Sequence, residues 1–296
     1  MPELPEVETI ARTLREGGRE GPPLLGRTLR GAHVLWARTL ATPDPESFAR
    51  TLAGQTVLDV TRRGKFLVLS LSQGQSLLIH LRMSGDLRWR PPSSVSQEST
   101  PPAPHDRLIL EFTDEWRLCF NDPRKFGRVW LVNDVNAILG ELGPEPLDET
   151  LTAEAFHRRL TVTHRALKPL LMDQRFLVGL GNIYADEALF YANLHPLRPA
   201  HTLTALEASR LLEAIRLVLQ EGIRRNGASI DWVYRGGDFQ NHFTVYGRAG
   251  QPCRRCGTPI QRLRIAQRSA HLCPRCQPPF NPLSGASSSQ TGEVGV

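Results

Sequence analysis

Four cysteines stand in two pairs, Cys253-Arg-Arg-Cys256 and Cys273-Pro-Arg-Cys276, separated by 16 residues. Each CxxC turn lets two thiolates reach one ion, and a spacer of that length fits a β-hairpin. The pattern therefore reads as a tetrahedral zinc site. Four thiolates close the coordination sphere, so the ion would be structural, with no open position for a catalytic water. Two disulfides are the alternative. They suit oxidising compartments, and the N-terminus lacks the basic segment and apolar run of an export signal. The fifth cysteine, Cys119, lies in an apolar run and reads as a buried thiol.

The opening MPELPEVETI offers chemistry of a second kind. Removal of Met1 would leave Pro2 as a free secondary amine. An α-amino group titrates near pH ~8, well below lysine, so a useful fraction is neutral at pH 7. Such an amine can attack an electrophilic carbon and form an iminium. Glu3 beside it, and Glu6 one helical turn on, are candidate acid/base or electrostatic groups. The competing reading is purely local: a proline in a first helical turn and acids at the positive end of a helix.

Three further segments carry signs of nucleic-acid binding. In NDPRKFGR, residues 121–128, a turn between strands bears Arg124, Lys125 and Phe126 at its tip. An aromatic on a basic turn is placed to wedge between bases, with an arginine alongside. HLRMSG, residues 80–85, presents Met83 on a second tip. In MDQRFLVGLGNIYADEAL, residues 172–189, the glycines match neither a dinucleotide fingerprint nor a P-loop. Asn182 there could cap a new helix whose N–H groups suit a phosphate, and Lys168 upstream could add a charge. Each segment has a plainer reading as a packed turn or a helix connection. Net charge is +6, and from Tyr246 to Phe280 there are seven arginines and no acid. That balance points to a polyanionic partner, with a solvated basic face as the alternative.

The elements that must position these residues follow from periodicity. Val7, Ile10, Ala11 and Leu14 recur at helical spacing from Leu4 to a stop at Gly17-Gly18. From about 25 to 132 the chain reads as short strands, among them 66–71, 76–81, 107–112 and 127–132. With no helices read between them, they suggest an antiparallel sandwich or barrel. Residues 90–104 form a Pro/Ser-rich loop. From about 136 to 226 the pattern is helical, with a capping box at Thr204–Glu207 and a helix end at Arg224-Arg225-Asn226-Gly227. An aromatic-rich loop over 231–247 leads into the cysteine module. No stretch approaches the ~20 apolar residues of a membrane span. Composition suggests a soluble, cytoplasmic protein.

Together these segments resemble the bacterial formamidopyrimidine-DNA glycosylase family of bifunctional DNA glycosylase/AP (apurinic/apyrimidinic) lyases. The resemblance runs through MPELPEVET, GKF around Lys65, HLRMSG, NDPRKFG, KPLLMDQ…VGLGNIYADEALF and the cysteine module, up to residue 280. It implies an α+β multidomain fold. An N-terminal catalytic helix and antiparallel β-sandwich would span 1–133, a helix–two-turn–helix domain 134–244, a zinc β-hairpin finger 245–280, and a disordered tail 281–296. The implied activity is base-excision repair: oxidised purines (8-oxoguanine, formamidopyrimidines) leave duplex DNA through a Pro2 Schiff base, and the strand is nicked by β,δ-elimination.

The same resemblance distributes roles. Glu3 would assist sugar opening and proton transfer. Lys65 would contact phosphate and act as a proton donor in β-elimination, and Arg268 would serve δ-elimination. Met83, Arg124 and Phe126 would fill the gap left by the extruded base. His80, Lys168 and Asn182 would hold phosphates, His105 would contact DNA, and the segment 235–246 would close over the lesion. One structural Zn2+ would sit on Cys253, Cys256, Cys273 and Cys276. The partner would be damaged double-stranded DNA bound by a monomer, in a nucleoid-associated cytoplasmic setting without membrane contact. Two features depart from the family pattern: the long 90–104 loop before His105, and His164 where a basic DNA contact is expected. A related family, endonuclease VIII, shares the fold, acts on oxidised pyrimidines and reads PEGPE where this chain reads PELPE. A zinc-finger DNA-binding protein without catalysis is the reading from a different class.

Overall fold

The computed structural model describes residues 1–18, 21–92, 101–229 and 236–281. Helix α1 spans Leu4–Glu16, with Pro5 in its first turn and Gly17, at φ 85°, ending it. The Glu3 N–H donates to the Glu6 carboxylate at 2.8 Å, so an acid at the third helical position serves the otherwise unpaired N-terminal amide. The apolar stripe of α1 divides between two cores. Leu4 packs with the helical residues of the second domain, whereas Val7, Ile10, Ala11 and Leu14 pack with the strands.

Nine strands follow: β1 (Leu29–Val34), β2 (Leu40–Thr42), β3 (Val57–Arg63), β4 (Phe66–Leu71), β5 (Ser76–His80), β6 (Asp86–Arg90), β7 (Asp106–Phe112), β8 (Arg117–Asn121) and β9 (Arg128–Val132). They form a five-stranded sheet, ordered β2-β9-β5-β4-β3, and a four-stranded sheet, ordered β1-β7-β8-β6. The sheets share one apolar core that includes Val60, Leu67, Leu69, Leu110 and Phe120. Two details correct the sequence reading. Helix α2 (Pro45–Leu52) interrupts the strands, started by Asp44, whose carboxylate accepts the N–H groups of Glu46 and Ser47. A cap residue followed by proline was a legible start signal. In addition, β2 runs parallel to β9, so the sheet is not purely antiparallel.

The NDPRKFGR turn links β8 to β9, and these strands belong to different sheets. It is therefore a corner between layers, not a hairpin tip. Buried Asp122 holds this corner: its carboxylate accepts from Gly127 N–H at 2.7 Å, from Arg124 N–H at 3.2 Å and from the Ser84 hydroxyl of the HLRMSG tip. One carboxylate thus fixes both candidate wedge segments relative to each other.

The second domain contains α3 (Asn136–Leu139), α4 (Ala153–Thr161), α5 (Leu167–Leu171), α6 (Asn182–Tyr191) and α7 (Ala205–Arg224). The Thr204–Glu207 capping box starts α7 as expected, and Asn226 and Gly227 take positive φ after it. Strands β10 (Gln261–Ile265) and β11 (Arg268–Leu272) form the hairpin between the cysteine pairs. Its turn, Ala266-Gln267, has both residues at positive φ, as a two-residue hairpin turn requires. Among the described residues no helix is long and apolar enough to cross a membrane. Of the 90–104 loop, residues 93–100 lie outside the described residues, as do 282–296 of the expected tail.

Leu4 joins α1 to the helical core, so truncating it should loosen the N-terminus as well as the core. Leu4→Ala is expected to cost about 2–5 kcal/mol. Thermal melting of the zinc-loaded protein should show the loss, together with weakened DNA cleavage; an unchanged melting transition would count against the shared-helix account.

Candidate active site

A cavity of about 310 Å³ opens between the two domains, and Pro2, Glu3, Lys65, His80, Asn182 and Arg268 all lie on its wall. These residues come from the segment before α1, the β3–β4 turn, the end of β5, α6 and the zinc hairpin. Met83 also faces the cavity, while Arg124 and Phe126 stand exposed on the corner held by Asp122. The Phe126 side chain is uncovered to an unusual degree for its size, at 55% exposure.

Glu3 is the pivot. Its carboxylate accepts from Gly181 N–H at 2.6 Å, Ile183 N–H at 3.0 Å and Tyr184 N–H at 3.4 Å. An anion at the amino end of α6 meets unpaired N–H groups and the positive end of the helix. This corrects the expectation for Asn182. Asn182 is the first residue of α6, and the cap is a carboxylate from the other end of the sequence. Its amide instead reaches the Ser269 hydroxyl at 3.4 Å. The Leu4 N–H adds a bond to the Gly179 carbonyl at 3.0 Å.

Glu6 lies below Glu3, fully enclosed. It accepts from Tyr184 Oη at 2.8 Å and Ala228 N–H at 2.7 Å besides the Glu3 amide. Burial pushes its carboxyl above the ordinary range, with the nearby Glu3 charge adding to the effect and these hydrogen bonds opposing it.

Lys65 is buried, and its Nζ donates to the Leu180 carbonyl at 2.8 Å. Burial lowers its pKa; Glu3 and Glu6 push the other way, and Arg268 lowers it further. A lysine shifted in this direction exchanges protons more readily near neutrality. The turn before it is clamped from the second domain: Glu145 accepts from Gly64 N–H at 2.6 Å and pairs with Arg62 and Arg63. Gly64 itself has φ 57°, and a Cβ there would collide with Val178.

His80 is held neutral, since burial drives its imidazole down to about 3. Its Nδ1 accepts the Arg82 N–H at 3.0 Å, which leaves the proton on Nε2. A neutral imidazole can still donate a hydrogen bond to a phosphate oxygen. Arg268, the first residue of β11, is exposed at the cavity rim.

Two expected contacts turn out differently. Lys168 does not present its ammonium to solvent: the side chain is 1% exposed, 2.5 Å from Asp186 and 2.6 Å from the Ser269 carbonyl. Its charge is spent on a buried pair, so the expected phosphate contact is not one this side chain is free to make. His105 is exposed beside the Asp122 corner, at φ 74° and 3.4 Å from the Arg107 guanidinium, away from the cavity wall. The segment expected to close over a lesion begins at 235, which lies outside the described residues; from 236 it is anchored, with Asp238 N–H donating to the Arg225 carbonyl at 3.0 Å.

Sequence reading missed Tyr184 and Gln174. Tyr184 stacks on Phe239 with ring centroids 5.2 Å apart and donates to Glu6. Gln174 donates to the Leu180 carbonyl at 2.9 Å and accepts from Gly179 N–H at 2.9 Å. It thereby shapes the turn that receives both Glu3 and Lys65. Neither residue type advertises such a role in isolation.

The four thiol sulfurs lie within 4.8 Å of one another, with Sγ separations of 3.4, 3.5 and 3.9 Å among the bonded pairs. A tetrahedron of thiolates about 2.3 Å from zinc has edges of roughly 3.8 Å. A disulfide would need about 2.05 Å. The donor set therefore fits one structural Zn2+ held by Cys253, Cys256, Cys273 and Cys276. Cys119 is buried, and burial raises its thiol to about 11, out of the reactive range.

Comparison with known proteins agrees with this geometry. Residues 1–129 match the formamidopyrimidine-DNA glycosylase N-terminal domain, 142–233 the formamidopyrimidine-DNA glycosylase H2TH domain, and 250–279 the zinc finger found in FPG and IleRS. The chain belongs to the formamidopyrimidine-DNA glycosylase family. Members of this family are DNA glycosylases with AP lyase activity. The formamidopyrimidine-DNA glycosylase of Chloroflexus aggregans is 46% identical over 284 residues, covering 94% of this chain and 98% of that protein. The Protochlamydia amoebophila enzyme is 41% identical, covering 94% and 99%. The solved complex of Lactococcus lactis Fpg (MutM) with FAPY-dG-containing DNA superposes with a TM-score of 0.84 at 33% identity, over 94% of this chain and all of that one.

Two outcomes follow from the site. A Cβ at Gly181 would fall 2.3 Å from the Glu3 carboxyl carbon. Gly181→Ala should therefore displace Glu3 and reduce strand cleavage on the order of tenfold to a hundredfold at unchanged zinc content, read by single-turnover assay; full activity would contradict the clamp. Stripping zinc with a chelator, or Cys273→Ser, should abolish binding to duplex DNA in a mobility-shift assay, because the finger folds around its ion. Retained binding would contradict a folded-finger role.

Proposed function

We propose that this protein excises oxidised purines, 8-oxoguanine and formamidopyrimidines, from duplex DNA and nicks the strand by β,δ-elimination. One observation carries the reading: Pro2 lies on the cavity wall within the same site as a buried lysine and a carboxylate anchored at a helix amino end. Once Met1 is removed, the Pro2 nitrogen is a secondary amine. It attacks C1′ of an extruded nucleotide, a C–N bond forms, and the base leaves with a proton. The C1′–O4′ bond then opens, O4′ taking a proton, and the resulting iminium is an electron sink that acidifies C2′. Loss of that proton expels the 3′ phosphate, and a second elimination expels the 5′ phosphate.

The remaining residues divide this work. Glu3, fixed by three N–H donors, sits beside the developing positive charge and assists sugar opening. Lys65, its pKa lowered by burial, exchanges protons during the first elimination. Arg268 grips phosphate and serves the second. His80 and Asn182 supply neutral donors to phosphate oxygens. Extruding a base costs a few kcal/mol, and Met83, Arg124 and Phe126 offset it by filling the gap. Lys168 supports this arrangement from beneath, and His105 contacts the duplex outside the cavity. Zinc supplies no step; its four thiolates hold the hairpin that carries Arg268. The division into 1–133, 134–244 and 245–280 accompanies this reading, with α1 shared between the first two. Lactococcus lactis Fpg has been solved with DNA carrying a formamidopyrimidine and with DNA carrying an oxidised pyrimidine, which makes the lesion preference a measurement worth taking directly.

Borohydride trapping on a duplex carrying 8-oxoguanine should give a covalent adduct, lost or greatly reduced in Pro2→Gly. Absence of an adduct with protein lacking Met1 would overturn the Schiff-base reading. In parallel single-turnover assays, 8-oxoguanine should be removed faster than thymine glycol; the reverse order would favour a pyrimidine-directed enzyme.

A further inference from the structure

The Asp186 carboxylate is almost completely buried, yet it takes donors from two different parts of the molecule. One oxygen accepts from Lys168 Nζ at 2.5 Å. The other accepts from the backbone N–H of His271 at 2.9 Å and lies 3.1 Å from the His271 ring nitrogen. Lys168 donates a second bond to the Ser269 carbonyl at 2.6 Å. Asp186 sits on α6, Lys168 on α5, and Ser269 and His271 on β11. The ion pair therefore closes a clasp between the helical domain and the zinc hairpin.

The position of the clasp along the hairpin matters. Among the described residues the other ties between the hairpin module and the helical domain lie mostly toward the zinc end, apart from a long bond from Asn182 to the Ser269 hydroxyl at 3.4 Å. Gln277 donates to the Leu194 carbonyl at 2.9 Å, and Arg255 bonds Asn193. Glu187 accepts the N–H groups of Thr244, Val245 and Tyr246, just before the first cysteine pair. Those zinc-end contacts fix where the module sits but do not reach the turn that carries Arg268. The clasp engages β11 along its length: Asp186 holds His271, two residues before Cys273, and Lys168 holds Ser269, the neighbour of Arg268 at the turn. Two separated attachments fix the orientation of a rod, whereas one fixes only its base.

A buried ion pair is a poor source of stability, because removing two charges from water costs about as much as their attraction returns. Its value lies in geometry: the pair is satisfied in one arrangement only, and an uncompensated buried charge penalises every other. We propose that Asp186 is a positioning residue, which, through Lys168 and β11, holds Arg268 at the cavity rim and so sets how completely the second elimination follows the first. This rests on the β,δ-elimination proposed above.

The test uses full-length, zinc-loaded protein and a duplex with a pre-formed abasic site, and scores the β-product against the β,δ-product on a denaturing gel. Asp186→Asn keeps an acceptor for the His271 N–H but cannot neutralise Lys168. It should retain zinc and borohydride trapping at Pro2, accumulate β-product, and slow the second elimination by up to about 100-fold. Arg268→Ala should show the same product pattern. The double variant should be no worse than Arg268→Ala alone, because Asp186 acts through Arg268. Additive losses in the double variant, an unchanged product ratio in Asp186→Asn, or loss of its zinc would each overturn the proposal. Wild-type protein that gives β-product alone would instead remove the β,δ reading on which the proposal stands.

Discussion

The structure depends on a carboxylate reaching across the sequence to the start of a helix. Glu3 ends the short segment before α1, and its oxygens take up N–H groups of Gly181, Ile183 and Tyr184. Hydrogen bonds to a charged acceptor contribute about 1.5–3 kcal/mol each, and leaving a buried carboxylate without them is costly. The amino end of the chain, the part most prone to fray, is thereby tied to the centre of the second domain. Leu4 packs into the same domain while the rest of α1 packs on the sandwich. The cavity exists because this one helix belongs to both sides.

Other parts repeat the device of a buried or partly buried acid that organises backbone N–H groups or paired cations. Asp122 sets the two wedge segments, Glu145 sets the turn before Lys65, Glu187 sets the segment leading into the zinc module, and Asp186 sets the hairpin. Each acid lies on one element and serves another distant in sequence. The protein thus holds the cavity between its domains in shape through hydrogen bonds to acids set around it. Phosphates could then enter that cavity without having to displace packed core.

This arrangement explains which features the sequence disclosed. Chemistry confined to a short window was legible: the cysteine pairs, the capping box at Thr204–Glu207, and the start and stop of α1. The residues that line the cavity came to notice through motif resemblance: MPELPEVET, GKF and HLRMSG contain Pro2, Glu3, Lys65 and His80. What stayed hidden was pairing at long range. Nothing local distinguishes Glu3 as a cap for a helix 180 residues away, or Lys168 as half of a buried pair instead of a surface cation. The short strands over 66–71, 76–81, 107–112 and 127–132 were legible, as was the turn at NDPRKFGR, but a turn sequence does not say whether its two strands share a sheet, and these do not. Helix α2 was missed for a different reason: its Asp44-Pro45 start was available and was outweighed by the surrounding strand pattern.

The central claim is that the Glu3 anchor presents the chain's own terminal amine to the sugar. The most direct measurement is peptide mapping by mass spectrometry of the borohydride-reduced protein–DNA complex. The account predicts one modified peptide, beginning at Pro2 without Met1, with the sugar remnant on the proline nitrogen. A remnant on Lys65, or on a peptide that still carries Met1, would contradict it.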